Sequence, residues 1–520
     1  MSQSTVTVAR GATEIYLANV IVLTANTLYF ITMTNIFRST VDVGVITALN
    51  LMIWLLAAIS VLAQPVTSQS PVPAPPAVLK FIPELLARKA HSAATRAFNA
   101  SLVSSALIAA VIGGVLITAP RIAISLLGGS SVSPIFVQLA AADVIVLSLG
   151  QICLASLMST GDMRIAGGYM ILWSVLRYGF ASALLLHYAI AGILIGWIAG
   201  DCLLFLLALR RTLIDLHAGT GGAGFSFNDF LRYSSYTLLS ALLGYGINQA
   251  DKIFTLAEQG LAHLAVYNVA IVASNFVGLA PYALTMVLLP TLSTLYASKQ
   301  TEEMGKMVRQ YSRYISIIVI PIAVEYAAIT GVALRVFGSA YLSGLVPSVI
   351  VSVTSGLTAV GAIYAAVLLA VGKLRWYTAN VLGIVGLSIV AYVTTPFVGI
   401  SGPALGRASL VAVAAILYAY AAGRSGFFEL DVRAFASSAL SSVPMGVAVF
   451  LILSFFHSLA VQLAILPVVI VIGGLLYLGT LRALTLLTVQ DFEFIRQMAP
   501  ARSHRLISFI ARVAGVSLRS

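Results

Sequence analysis

The chain has 520 residues, of which 60% are hydrophobic and only 9% are charged, and its net charge is +12. A soluble domain carries roughly 25% charged residues, so this composition excludes a water-soluble globular protein and predicts a chain embedded in a lipid bilayer. The two cysteines, Cys153 and Cys202, both lie in apolar segments and do not make a disulfide scaffold or a metal site.

Apolar windows of about 20 residues predict fourteen membrane-spanning helices. In chain order they fall at 13–37, 42–64, 97–119, 134–157, 166–188, 190–209, 232–256, 262–289, 313–333, 344–370, 376–395, 400–422, 435–457 and 460–481. Two of the joins are short, which leaves counts of 12 or 13 open. An even count places both termini on the same side of the membrane.

The basic residues concentrate at alternate ends of these spans. With the N-terminus in the cytoplasm, 23 of the 29 Lys and Arg residues fall in cytoplasmic segments and four in outer segments. The positive-inside rule predicts this asymmetry. We therefore predict a multi-pass protein of the cell (plasma) membrane with both termini cytoplasmic. Its basic residues face anionic lipid headgroups, and nucleic acid is not expected as a partner.

Short sequence patterns recur about 210 positions apart. The matching segments are 161–164 (GDMR) with 372–375 (GKLR), 190–196 with 400–406, and 81–85 with 288–292. A nearly constant offset indicates a duplicated unit, an organisation found in many secondary transporters. Gly192 with Gly196, and Gly402 with Gly406, form G-x-x-x-G patterns that predict close helix packing in lipid.

The repeat and the spans together predict the domain organisation. The regions are a six-helix lobe at 1–211, a second six-helix lobe at 212–425, two additional transmembrane helices at 426–488 and a basic amphipathic cytoplasmic tail at 489–520. The fold class is an all-α integral membrane protein of about 14 transmembrane helices, with the two lobes related by a pseudo-two-fold axis. The proline-rich segment 65–76 predicts an extended cytoplasmic loop, and a broken helix lining a cavity is the alternative.

The sequence contains no pattern typical of an enzyme, such as His-Glu-x-x-His or a phosphate-binding glycine loop with lysine. We predict no catalytic residue, no metal site and no cofactor. The remaining candidates are ionisable residues at membrane depth, where a charge is expensive and faces a partner or a watery cavity. They are Asp143, Arg177, Asp201, Asp251, Lys252 and Glu325.

These charged residues divide by sign into two predicted roles. A cavity for a large anion needs buried cations, so Arg177 and Lys252 are candidate substrate contacts. The candidate sites for a coupling proton or Na⁺ are Asp143, Asp201, Asp251 and Glu325. For Asp251 the alternative is a structural ion pair with a basic residue such as Arg177 or Arg407.

The stretch from 233 to 341 resembles the core of the polysaccharide flippases, which belong to the multidrug/oligosaccharidyl-lipid/polysaccharide (MOP) exporter superfamily. The matching segments are 233–236 (YSSY), 248–252 (NQADK), 264–270 (LAVYNVA), 287–293 (VLLPTLS) followed by a charged loop at 299–313, 321–323 (PIA) and 337–341 (FGSAY). The sequence departs from the family pattern at two places. Residues 11–37 contain no Arg or Lys, unlike the arginine-rich first span of the lipid II flippases. Lys252 stands at a position where an Arg is common in the family.

The resemblance implies two six-helix bundles around a central cavity that opens alternately inward and outward. It implies transfer of lipid-linked oligosaccharide or polysaccharide repeat units from the inner to the outer leaflet. Asn26, Tyr245 and Asn248 are then candidates for hydrogen bonds to sugar hydroxyls, with packing in the bundle as the alternative.

The implied partners are a glycan carried on polyprenyl phosphate or pyrophosphate, membrane lipids, and glycosyltransferases or a polymerase of the same pathway. We expect a monomer. Two alternatives stay open: a cation-coupled multidrug exporter of the same fold, and an integral membrane enzyme of glycan assembly.

Overall fold

The computed structural model describes residues 3–37, 39–65, 76–160, 163–216, 224–278, 288, 291–373, 378–427, 430–484, 486–487, 489, 508 and 511. Within these ranges the chain forms helices and connecting turns and no β-strand. The predicted all-α fold class is confirmed.

In chain order, the helices are α1 (Gln3–Ile36), α2 (Thr40–Val61), α3 (Val78–Ala87), α4 (His91–Thr118), α5 (Pro120–Leu127), α6 (Pro134–Ser159), α7 (Met163–Leu216), α8 (Phe227–Gln259), α9 (Leu261–Ser274), α10 (Thr301–Phe337), α11 (Leu345–Ala370), α12 (Thr378–Val398), α13 (Ser401–Gly423), α14 (Val432–Ser454) and α15 (Leu459–Ala483). Short 3₁₀ turns lie at Gly129–Ser131, Asn275–Gly278 and Ser339–Gly344.

Twelve helical stretches among the described residues are long and apolar enough to cross a membrane. One of them, α7, contains two predicted spans, because its backbone leaves helical geometry at Ala189 (φ 51°, ψ −130°). The 33-residue helix α8 covers the predicted span 232–256 but is too polar to count among the twelve. All fourteen predicted spans therefore fall on helices, the eighth as far as residue 278, and the chain is a multi-pass membrane protein.

The predicted charged loop at 299–313 is wrong, because α10 already begins at Thr301. Lys306 pairs with Glu302 at 2.9 Å, one helical turn away, while Met304 and Val308 are fully buried. The segment is thus an amphipathic helical turn continuous with the following span, and its charged face is what favoured a loop in the sequence.

The ten-residue helix α3 was not predicted, because it is too short for a membrane-length window. Its buried residues Val78, Ile82 and Leu85 recur at helical spacing, whereas Lys80 and Glu84 are exposed. This is the pattern of a short amphipathic helix that packs one face on its neighbours. It contacts α4 and α6.

The two glycine pairs make matching contacts in the two copies of the repeat. A Cβ atom at Gly196 would lie 2.5 Å from Cα of Ala181, and one at Gly406 would lie 3.0 Å from Cβ of Ala391. Both glycines and both alanines are 210 positions apart, so each copy contains the same helical hairpin with the same close approach. The predicted packing role of the glycine patterns is confirmed.

The chain divides into two compact units. Unit 1 comprises Met1–Val272 and Asn380–Leu410, and unit 2 comprises Ala273–Ala379 and Val411–Ser520. In unit 1, α7 packs extensively on α6 and α1, and in unit 2, α10 packs on α11 and α14. The predicted regions 1–211, 212–425, 426–488 and 489–520 stay a prediction.

Two predicted segments fall outside the described residues. The proline-rich loop is described only at its ends, Pro65 and Pro76. The amphipathic tail at 489–520 is described only at Val489, Ser508 and Ala511.

Candidate functional site

Three of the predicted site residues meet in the core of unit 1. Arg177, on the first arm of α7, forms ion pairs with Asp143 of α6 and with Asp201 on the second arm of α7. The distance from Nη2 of Arg177 to Oδ2 of Asp143 is 3.0 Å. The side chain of Arg177 is 1% exposed, and those of Asp143 and Asp201 are 0% exposed. Asp143, Arg177 and Asp201 are called the Arg177 triad below.

The bend in α7 brings two members of the triad together. Ala189 lies twelve residues from both Arg177 and Asp201, so the two arms present these residues at the same depth. Gly200 permits the close approach, since a Cβ there would lie 2.5 Å from Cα of Arg177. The sequence thus encodes the pair through a mid-helix break and a glycine beside the acid.

Aromatic side chains enclose the triad. The indole Nε1 of Trp173 donates a hydrogen bond to Oδ1 of Asp201 at 2.5 Å, and the guanidinium carbon of Arg177 lies 4.8 Å from the ring centroid of Trp197. Such a cation–π contact stabilises a desolvated guanidinium by about 2 kcal/mol. Neither tryptophan was predicted as part of the site, although the four-residue spacing of Trp173 and Arg177 places them on one helix face.

The triad contains two predicted ion-coupling residues and one predicted substrate contact. Both carboxylates bind the guanidinium, which leaves Arg177 enclosed and paired on two sides. This arrangement favours a role for Arg177 inside the triad over direct contact with a substrate. Ion coupling by Asp143 and Asp201 and substrate contact by Arg177 stay predictions.

A second charged cluster in unit 1 centres on Asp251 of α8, whose side chain is fully buried. Its Oδ2 accepts a hydrogen bond from the hydroxyl of Tyr267 at 2.8 Å and pairs with Nη1 of Arg407 at 2.9 Å. The same Nη1 also donates to the carbonyl oxygen of Asn248, at 3.3 Å. The predicted ion pair of Asp251 with a basic residue is confirmed, and the partner is Arg407.

Lys252 follows Asp251 in α8 and adds a second positive charge to this cluster. It is half-buried and interacts electrostatically with both Asp251 and Arg407. Among the described residues no carboxylate lies within ion-pair distance of Lys252, so one carboxylate faces two cations. Asp251, Lys252, Tyr267 and Arg407 are called the Asp251 cluster below, and its net charge is +1.

The predicted sugar-binding side chains are held in different ways. The hydroxyl of Tyr245 donates to the carbonyl oxygen of Leu51 in α2 at 2.5 Å, and Nδ2 of Asn248 donates to the carbonyl oxygen of Gly244 at 2.9 Å. Asn26 lies half-buried on α1. Tyr245 and Asn248 therefore already bind backbone groups, and their role in sugar binding stays a prediction.

The remaining ion-coupling candidate, Glu325, lies on α10 in unit 2. Its Oε1 is buried and has no hydrogen-bond partner among the described residues. A Cβ at Gly473 of α15 would lie 2.9 Å from this oxygen, so the absence of a side chain at Gly473 makes room for the carboxylate. Its role in coupling stays a prediction.

Within the described ranges, no group of three or more His, Cys, Asp or Glu side chains is arranged to hold a metal ion. The two charged sites of unit 1 offer ionic and hydrogen-bonding contacts. These sites are a fully enclosed triad and a half-open cluster with an excess cation.

The arrangement of the helices matches solved membrane transporters. The structure of the lipid II flippase MurJ in an inward closed conformation superposes with a TM-score of 0.69 at 14% identity, covering 91% of this chain and 99% of that chain. A Vibrio cholerae MATE transporter, VcmN in the bent form, gives a TM-score of 0.57 at 14% identity, covering 82% and 100%. A multidrug resistance MATE family transporter of the MOP superfamily, in an outward-facing conformation, gives 0.59 at 16% identity, covering 82% and 98%.

The chain therefore has the fold of these solved transporters. A family model described as "Polysaccharide biosynthesis protein" matches residues 86–345. The chain belongs to this polysaccharide biosynthesis protein family. No curated protein matches the chain.

Proposed function

We propose that this protein is a flippase that moves lipid-linked oligosaccharide or polysaccharide repeat units from the inner to the outer leaflet by alternating access. Membership of the polysaccharide biosynthesis protein family and the MOP-type fold support a transport step in glycan assembly. The relevant substrate class is a glycan carried on a polyprenyl phosphate or pyrophosphate in the plasma membrane. The protein acts without a cofactor and is not itself an enzyme.

The excess positive charge of the Asp251 cluster is the observation that carries this proposal. A charged side chain inside a bilayer is costly, so an unneutralised cation is retained where it has a function. Arg407 is already fixed by Asp251, while Lys252 forms no ion pair among the described residues. Lys252 is therefore the proposed contact for the phosphate or pyrophosphate group.

Polar residues of unit 1 supply the proposed recognition of the sugar. Asn248 and Tyr245 lie on the same helix as Lys252, one and two turns before it, and Asn26 lies on α1 of the same unit. Each side chain can exchange or add hydrogen bonds with sugar hydroxyls. In this proposal both termini lie in the cytoplasm and the protein is a monomer. Glycosyltransferases or a polymerase of the same pathway supply or consume its substrate.

The direct test is leaflet translocation in vesicles that contain the purified full-length protein. A labelled sugar on polyprenyl pyrophosphate starts in the inner leaflet, and a membrane-impermeant glycosidase reports its arrival outside. We expect faster arrival than in protein-free vesicles. Because a hydrogen bond to a charged group contributes about 1.5–3 kcal/mol, Lys252→Gln should slow translocation at least about tenfold.

The matched control is Lys306→Gln, which removes an exposed lysine paired with Glu302 at the start of α10. This variant should translocate like the wild type. Translocation no faster than in protein-free vesicles would refute the proposed function. Transport of cationic dyes without glycan transport would support a multidrug exporter, and turnover of the glycan that a chelator abolishes would support an enzyme.

A further inference from the structure

The charges of the Arg177 triad do not balance. Two carboxylates, Asp143 and Asp201, face a single guanidinium, and all three groups are at most 1% exposed. With every group ionised, the triad carries an unneutralised negative charge inside a membrane protein. A buried charge without a partner is strongly unfavourable, so a further positive charge is needed.

One atom of the triad is left without a partner. Oδ1 of Asp143 is buried and has no hydrogen-bond partner among the described residues. Asp143 and Asp201 each bind the same guanidinium through one oxygen, so the two carboxylates are neighbours in the triad. Two carboxylates have only acceptor atoms, so a hydrogen bond between them requires a proton.

We propose that the Arg177 triad is a proton-binding site in which one proton, taken up from water, resides on Asp143 and is shared with Asp201. Binding it changes the net charge of the triad from −1 to zero and gives the orphan oxygen a hydrogen. The site is independent of any glycan substrate. The proton site can therefore be tested separately from the flippase function.

The proton resides on Asp143 rather than Asp201 because of the donors around each carboxylate. Asp201 accepts hydrogen bonds on both oxygens, from Trp173 and from Arg177, so neither of its oxygens lacks a partner. Asp143 accepts on one oxygen only, from Arg177. The less satisfied carboxylate is the one that takes the proton.

A metal cation does not fit this site as well as a proton. Hard cations need several oxygen ligands, and the guanidinium of Arg177 already occupies one oxygen of each carboxylate. A single free carboxylate oxygen remains, which is enough for a proton. Among the described side chains, the other titratable groups facing the triad are Tyr29 on α1 and Tyr178 and Cys202 on α7, and none of these three adds a positive charge.

The second copy of the repeat lacks this site. The position 210 residues after Arg177 is Leu387, and the position 210 residues after Asp201 is Val411. The two hairpins share their glycine contacts but not their charges. The proton site is therefore a feature that only the first copy carries, within the described residues.

Infrared spectroscopy of the purified full-length protein tests the proposal. We expect the wild type at neutral pH to show the carbonyl stretch of a protonated carboxylic acid that is absent from Asp143→Asn. The band should shift when the protein is equilibrated in deuterated water. Asp215→Asn is the matched control, because Asp215 pairs with Arg211 at the exposed end of the same helix α7, and it should keep the band.

Thermal unfolding gives a second and independent readout. A carboxyl group that holds a proton only in the folded state releases it on unfolding, so the melting temperature of the wild type should fall as pH rises from about 5 to about 9. Asp143→Asn mimics the protonated acid and should flatten this slope. Asp201→Asn removes an ionised acceptor and should lower the melting temperature throughout.

Three results would overturn the proposal. The first is an infrared difference between wild type and Asp143→Asn that contains no carboxylic acid band. The second is failure of Asp143→Asn to fold while Asp215→Asn folds, since the neutral amide should be tolerated. The third is equal pH dependence of melting in the wild type and in Asp143→Asn.

Discussion

Replacing Arg177 by Leu should be among the most destabilising single substitutions in unit 1. Leu is the residue that the second copy of the repeat carries at the equivalent position, 387, so its size suits the hairpin. The substitution leaves Asp143 and Asp201 buried without their cation and removes the contact with Trp197. Removing one partner of a buried ion pair costs about 3–5 kcal/mol of folding free energy.

The assay is reversible unfolding of the full chain in mixed micelles, followed by tryptophan fluorescence. Arg211→Leu is the control on the same helix, because Arg211 pairs with Asp215 near the surface at 41% and 21% exposure. Exposed pairs within a helix contribute only about 0.3–0.5 kcal/mol. Arg177→Leu should also regain stability as pH falls, because a further proton can then neutralise the carboxylate charge that remains in the folded state.

A double substitution distinguishes a true ion pair from a packing effect. Adding Asp201→Asn to Arg177→Leu should cost less than the sum of the two single changes, with a coupling energy of about 0.5–3 kcal/mol. If Arg177→Leu and Arg211→Leu lose similar small amounts of stability, or if Arg177→Leu does not recover at low pH, the electrostatic account of the triad is wrong.

Three further predictions concern packing and hydrogen bonds, and each is checked by the melting temperature of the purified protein. Gly196→Ala should lower the melting temperature, because the added Cβ would collide with the facing arm of α7. Gly179 has open space around it, so the control Gly179→Ala should leave stability unchanged or raise it by up to about 1 kcal/mol. Equal effects of the two substitutions would contradict the close approach at Gly196. Tyr267→Phe removes a 2.8 Å hydrogen bond to buried Asp251 and should cost about 1.5–3 kcal/mol, and an unchanged melting temperature would show that the bond contributes nothing. Asp431→Ala removes the side-chain cap of α14, a 2.9 Å bond, together with an ion pair to Arg313. Asp431→Asn also removes the ion pair but keeps an oxygen for the cap, so it should be more stable than Asp431→Ala by about 1 kcal/mol; equal losses in the two variants would show that the cap contributes nothing.

The spans and the hairpin packing could be predicted because they depend on local patterns. Apolar windows predict helices wherever about 20 residues must cross lipid, and the described parts of all fourteen windows fall mainly on helices. Gly196 recurs as Gly406 in the second copy, and this recurrence was enough to predict that two helices approach closely at both glycines. The partner of Asp251 was predicted as one of two basic residues, and the structure selects Arg407.

The triad could not be predicted from spacing. Asp143 and Asp201 lie 34 and 24 positions from Arg177, so their meeting depends on the bend at Ala189 and on how α6 packs against α7. The break was predicted, as the join at 189 between the spans 166–188 and 190–209, but the packing of α6 on α7 has no local sequence signature. The start of α10 was predicted as a loop because the charge of its first turn concealed the buried positions Met304 and Val308 on the other face.

The hairpin form of α7 has a consequence for biosynthesis of the protein. A span that carries an isolated arginine at mid-bilayer is a poor candidate for release into lipid, since the charge costs about 2.5–3.5 kcal/mol on insertion scales. Arg177 and Asp201 sit on neighbouring arms joined at Ala189, so both charges can leave the translocation channel as one neutral pair. We expect the first arm of α7 to integrate poorly when it is synthesised alone and efficiently when the second arm follows it.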